Sequence, residues 1–94
     1  MKELKELMDD IRCELKKAGE YAMEAVKHRD EYPELSETYH KLATDGVIHA
    51  EVLEKRAKEM AHKHHVHELW EFASDMIMRE LEDVKRHIEM YRMS

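Results

Sequence analysis

The sequence predicts an all-α protein built from three long amphipathic helices. Its 94 residues include only two glycines and one proline, too few for the turns that a sheet requires. Charged residues make up 40% of the chain and the mean hydropathy is −0.81. Apolar residues nevertheless recur every three or four positions, which is typical of amphipathic helices and not of disorder. A chain this short forms one domain with a thin core.

The first helix is predicted over about residues 3–30. Pro33 separates it from the second helix, because the residue before a proline is disfavoured in the α conformation and proline itself suits a helix start. The apolar stripe of this first helix consists of Leu4, Leu7, Met8, Ile11, Leu15, Ala18, Ala22, Ala25 and Val26.

The second and third helices are predicted over about residues 34–61 and 66–91. No glycine or proline separates them, but at about 100° per residue their stripes differ in direction by roughly 160 to 200°. One straight rod would therefore bury opposite faces, so a break is expected between His62 and His67. The alternative is one continuous helix shared by two subunits. The predicted stripes are Leu35, Tyr39, Leu42, Gly46, His49, Ala50, Leu53, Ala57 and Met60, then Val66, Leu69, Trp70, Ala73, Met76, Ile77, Glu80, Val84, His87, Ile88 and Tyr91.

Stripes this wide favour four-helix packing, so we expect a homo-oligomer, a dimer or higher, to complete the bundle. The net charge of −6 is spread along the chain, which argues against a nucleic-acid partner. No apolar run approaches the roughly 18 residues that a membrane span needs. The start MKELKELMDD lacks a hydrophobic signal region, and Cys13 is the single cysteine. A cytoplasmic protein without a membrane partner is therefore expected.

Four polar side chains interrupt the apolar stripes or lie at their edges: Glu14, His49, Glu80 and His87. Carboxylates and imidazoles that converge inside a helical bundle can hold a di-iron or di-manganese centre. These four residues are the candidate metal ligands. Each has an alternative role: Glu14 as a solvated edge residue, the histidines as hydrogen-bonded core or interface groups, and Glu80 as the partner of a lysine or arginine of a second chain.

A histidine cluster lies between the second and third helices, and it comprises His62, His64, His65 and His67. His64 and His67, at i and i+3, could share a helix face and bind a divalent ion. No acidic or cysteine ligand completes the set, so an exposed connection is the favoured interpretation.

The segment ELKKAGEY, from Glu14 to Tyr21, resembles the first bundle helix of rubrerythrin-type, ferritin-like proteins. In that family the second helix carries E-x-x-H-A-E some thirty-odd residues later, and here His49, Ala50 and Glu51 begin 35 positions after Glu14. The resemblance implies a two-metal centre with Glu14 and His49 among its ligands, binding iron or manganese. Oxidation of ferrous iron, peroxide chemistry or iron storage would follow from it.

The chain departs from this family pattern at Gly46. The glutamate of E-x-x-H falls on this glycine, so a bridging carboxylate is missing. Glycine inside a helix also costs about 1 kcal/mol relative to alanine. The third helix has His87 but places Val84 at the corresponding carboxylate position. The leading interpretation is therefore a ferritin-like bundle whose metal centre is altered or lost.

Two other functions remain open. One is a non-enzymatic helical structural or interaction subunit, favoured by Gly46, because a small residue on a core stripe lets another helix approach closely. The other is a divalent-metal binder centred on the histidine cluster.

Overall fold

A computed structural model describes residues 2–92 and contains three α-helices: α1 Lys2–His28, α2 Pro33–Lys63 and α3 His67–Arg92. The predicted all-α class is confirmed, and no strand is present among the described residues. Within the same residues, every helix is too polar or too short in its apolar runs to cross a bilayer.

The buried side of α1 follows the predicted stripe, with Leu4, Ile11, Leu15, Ala18, Ala22 and Ala25 as its buried residues. α2 packs along this stripe and shares more contacts with α1 than α3 shares with either helix. Ser36 contacts Ala25, and His49 lies beside Glu14, so α1 and α2 run antiparallel. α3 runs parallel to α1, because Gly19 lies against Val84 and Arg12 lies near Glu80.

Ser36 joins the end of α1 to the start of α2. Its hydroxyl is completely buried and donates a hydrogen bond to the carbonyl of Ala25. Ala25 lies in the last turn of α1, where carbonyls lack partners within their own helix. Pro33 is the first residue of α2, as a helix start accepts a residue without an amide hydrogen. The start of α2 therefore also supplies a hydrogen-bond donor to a carbonyl in the last turn of α1.

The break between α2 and α3 is made by His65, which has a φ of 56°. The amide of Val66 donates to the carbonyl of Ala61 at 3.0 Å, and that of His65 donates to His62 at 3.3 Å. This pair of hydrogen bonds is the Schellman arrangement that ends a helix on a left-handed residue. The position usually holds glycine, and here it holds a histidine.

The third stripe is rotated relative to the prediction. α3 buries Trp70, Ile77, Leu81, Val84 and Ile88, whereas the predicted core residues Leu69 and Met76 are exposed. α2 shows the same effect, because it exposes Leu35 and Leu42 and buries Ala43, Val47 and Ala61. The reason is geometric: α2 and α3 each have two adjacent apolar faces, and the position of α1 decides which face is covered.

Candidate metal centre

Glu14 on α1 and His49 on α2 are brought together by the antiparallel pairing of these helices. Nδ1 of His49 lies 3.7 Å from Oε2 of Glu14, in a shallow cleft that Tyr21 and Asp45 also line. The side chain of Glu14 is 36% exposed and that of His49 is 63% exposed. Two of the four candidate ligands thus meet, but at the surface of the helix pair and not inside a closed bundle.

Gly46 lies one turn before His49, where α2 packs directly against Ala18 of α1. A Cβ atom built on Gly46 would lie 2.9 Å from Cβ of Ala18 and 3.6 Å from the backbone oxygen of Glu14. A separation of 2.9 Å is shorter than real Cβ contacts, and Cβ of Ala18 cannot rotate away because it is fixed to the backbone. Ala18 of α1 therefore occupies the space into which a side chain at position 46 would begin.

Glu80 lies on the other side of α1, between α1 and α3. Its Oε1 is 3.9 Å from Nε of Arg12, and it borders a cleft that also includes Lys16 and Val84. The charge partner that sequence reasoning assigned to a second chain is thus present in the same chain. Both side chains are partly exposed, so water screens this ion pair and its stabilisation is small.

His87 forms its contacts within α3. Its Nδ1 lies 2.8 Å from the backbone oxygen of Asp83 and 4.0 Å from the carboxylate of the same residue. An N–H at Nδ1 can donate to this carbonyl, which directs that nitrogen along its own helix. Neither Glu80 nor His87 joins the pair formed by Glu14 and His49.

Across residues 2–92, no group of three or more His, Cys, Asp or Glu side chains is arranged to hold a metal ion. A two-metal carboxylate centre needs several oxygen donors that bridge two cations. A single chain supplies one acid and one imidazole at the expected position, and Gly46 contributes no donor. The residues of one chain therefore do not fit the two-metal centre that the resemblance implies.

The histidine cluster spans the last turn of α2, the connection to α3 and the first residue of α3. The ring centroids of His62 and His67 are 4.6 Å apart and their planes are steeply inclined, while His65 and His67 are 6.5 Å apart. All four histidines of the cluster are exposed. The cluster is an exposed connection, as favoured from the sequence, and His65 has the structural role of ending α2.

Sequence reasoning missed a second group of polar residues near the opposite end of the molecule. The guanidinium of Arg29 donates to the carbonyls of Met90 and Tyr91, both at 3.3 Å, and so satisfies the end of α3. His40 stacks on Tyr91 with centroids 4.3 Å apart. Burial lowers the pKa of His40, and the nearby charge of Arg92 lowers it further. Sequence patterns carry no signal for these contacts, which depend on where α3 docks.

Comparison of the sequence with protein-family models, with curated proteins and with solved structures finds no match. The resemblance to ferritin-like proteins therefore rests on the segment around Glu14 and the segment around His49 alone.

Proposed function

We propose that this chain is a non-enzymatic helical interaction subunit, in which direct helix packing replaces a metal centre. The single observation that carries this proposal is the contact of α2 with α1 at Gly46. Its backbone approaches Ala18 so closely that a Cβ atom would be only 2.9 Å from the alanine side chain. A bridging glutamate at this position would have to displace Ala18, and with it the α1 backbone that carries this side chain.

The remaining polar groups support the same conclusion. Glu14 and His49 are partly exposed, and Glu80 has Arg12 as its charge partner. Side chains that ligate a metal are usually held by further hydrogen bonds around the site. Across the described residues, His49 has its one charge contact with Glu14. These groups act as ordinary surface contacts between packed helices.

Thermal unfolding with and without ferrous iron or Mn²⁺ tests the proposal. A site that binds only the folded chain, with the ion at 100 times its Kd, would stabilise the fold by about 2.7 kcal/mol. In a domain of this size that is a rise in Tm of at least about 10 °C. We expect no such rise, and we expect Glu14→Gln and His49→Gln to match the unsubstituted protein. A rise that either variant abolishes would overturn the proposal.

Two further variants sharpen this test. Gly46→Glu restores the carboxylate of the E-x-x-H pattern, but we expect it to lower Tm because the new Cβ meets Ala18, and we expect neither ion to recover the loss. A double substitution, His62→Asn with His67→Asn, is the control for adventitious binding. A metal effect that disappears only in this variant belongs to the histidine cluster and leaves the proposal intact.

The contact between Glu14 and His49 supports a second candidate function. In this candidate, a second copy of the chain would add Glu80 and His87 to the pair and so complete an iron or manganese centre with the oxidation or storage chemistry of ferritin-like proteins. Elemental analysis of the purified oligomer tests it directly. Iron or manganese at one ion per chain or more would favour it, and traces far below that ratio would exclude it.

A further inference from the structure

α3 has a second apolar face that its own chain leaves uncovered. Leu69, Phe72 and Met76 follow one another at helical spacing and are all exposed. Phe72 is the extreme case, with 72% of its surface accessible. Single exposed apolar residues need no explanation, but a contiguous patch of large side chains marks an interaction surface.

These side chains form one wall of a groove between the first half of α1 and the first half of α3. Met8 and Ile77 belong to its base, and its open volume is about 570 Å³. On the α1 side the groove is bordered by Lys2, Lys5 and Arg12, with Asp9 among them. We call this surface the α1–α3 groove.

The α1 edge of the α1–α3 groove and the outer side of α3, beyond Phe72, differ in charge. The α1 edge has three basic residues and one acidic residue. At about 100° per residue, Glu68, Asp75 and Arg79 lie beside Phe72 on the side turned away from Leu69 and Met76, and all three are exposed. The α1 edge therefore has a net positive charge and the outer side of α3, with two carboxylates and one arginine, a net negative one, so two copies related by a two-fold axis would place opposite net charges together twice.

The chain also exposes more surface than a compact monomer of its mass. Its accessible surface is 6758 Å², whereas the usual scaling gives about 5,700 Å² for 11.3 kDa. Its radius of gyration is 15.0 Å, against about 12 Å for a compact domain of this length. The surplus of about 1,000 Å² is comparable with the roughly 800 Å² that each partner buries in a stable complex.

We propose that a second copy of this chain docks in the α1–α3 groove to form a two-fold symmetric dimer. In this dimer, Phe72 and Met76 of each copy enter the groove of the other, and the lysines of α1 face Glu68 and Asp75 of the partner α3. Four helices, α1 and α3 from each copy, then enclose one apolar interior. The inference rests on the proposed function, since it names the partner of an interaction subunit.

Sedimentation equilibrium of the full chain gives the first test. The unsubstituted protein is expected at twice its 11.3 kDa mass in the micromolar range, and Phe72→Glu is expected at the single mass with unchanged helix content. Val52→Glu is the matched control, because Val52 is also a largely exposed apolar residue but lies on α2. It should remain dimeric. A monomeric unsubstituted protein, or a dimer that Val52→Glu breaks and Phe72→Glu does not, would overturn the proposal.

A charge exchange tests the symmetry of the dimer independently of apolar substitution. One variant carries Lys2→Glu and Lys5→Glu, and the other carries Glu68→Lys and Asp75→Lys. Each variant alone places like charges together and is expected to dissociate at least 10-fold more readily. An equimolar mixture pairs opposite charges at both edges, so it should recover the dimer mass. If the mixture does not recover the dimer mass, the two edges do not face each other and the proposed arrangement is excluded.

The two sets of experiments fail separately. If the protein is a monomer and shows no metal-dependent rise in Tm, docking of a second copy is excluded and the proposed non-enzymatic function is retained. A dimer broken by Phe72→Glu, together with a rise in Tm that needs Glu14 and His49, keeps the docking surface and removes the non-enzymatic function.

Discussion

The fold lowers the pKa of His40. Burial against α3 lowers the pKa below the ordinary value of 6.5, and Arg92 acts in the same direction, while Glu89 and Glu37 oppose it. A lowered pKa means that the unfolded chain binds the proton more tightly. The stability contributed by neutral His40 is therefore present above about pH 6.5 and is lost as the pH falls through its folded pKa.

We predict that His40→Phe reduces this loss. Phenylalanine keeps the stacking on Tyr91 and removes Nε2, a buried nitrogen without a hydrogen-bond partner among the described residues. Thermal unfolding of the variant and the parent from pH 8 to pH 5 checks the prediction. The difference in Tm between the two proteins removes the contributions of the other seven histidines. The Tm of the variant minus the Tm of the parent should rise as the pH falls. A difference that is independent of pH would contradict it.

Ser36 carries a second prediction at the residue level. Its buried hydroxyl satisfies the carbonyl of Ala25 at the end of α1, and removing it leaves that buried acceptor without a donor. Ser36→Ala should therefore cost about 1–3 kcal/mol of unfolding free energy in urea denaturation. Thr38→Ala is the control, because its hydroxyl is exposed and bonds within its own helix. Equal effects of the two substitutions would refute the assigned role.

The candidate site shows how far single residues can be predicted. The pairing of Glu14 with His49 follows from the spacing of two short segments and is present in the structure. The partner of Glu80 could not be found in this way, because it depends on the register of α3 against α1. Gly46 is recognisable from the sequence as an anomaly. The 2.9 Å that would separate a Cβ at this position from Cβ of Ala18 depends on how two helices pack, and no pattern in one helix reports it.

At the level of the helices, the end of α2 differs from what its sequence suggests. His65 adopts a left-handed conformation, which costs roughly 1–2 kcal/mol for a residue with a side chain. His65→Gly should raise the unfolding free energy by about 0.5–1 kcal/mol, because glycine gains this conformation freely but loses more entropy on folding. His64→Gly, where φ is −102°, should be neutral or destabilising. Urea denaturation of both variants checks the prediction, and equal gains would contradict it.

Helix positions were predictable and helix orientations were not. The apolar period and Pro33 place all three helices within a few residues of their observed ends. On α1 the predicted stripe is the buried one, since alanines and leucines occupy a single face. On α3 the residues Leu69 and Trp70 belong to neighbouring faces, and only docking against α1 and α2 decides that Trp70 is buried. Composition alone cannot choose between two adjacent apolar faces.

At the scale of the whole molecule, α1 and α2 pack directly against each other where Gly46 meets Ala18. This seam has small residues along its length, including Ala18, Ala22, Ala43 and Gly46. α3 covers one side of the pair with fewer contacts, and it leaves the α1–α3 groove open for a second chain. The architecture is thus a closely packed helix pair with a third helix that leaves an apolar groove uncovered, where we propose that a second copy docks.

The central claim, that direct backbone packing at Gly46 has taken the place of a metal centre, is tested most directly by the unfolding free energies of two glycine variants. Gly46→Ala should lose about 1–3 kcal/mol through overpacking. The other glycine supplies the control: a Cβ on Gly19 meets only Val84 at an ordinary 3.5 Å, so Gly19→Ala should gain up to about 1 kcal/mol of helix propensity. A comparable gain in both variants would show that the seam at Gly46 is open and would contradict the account.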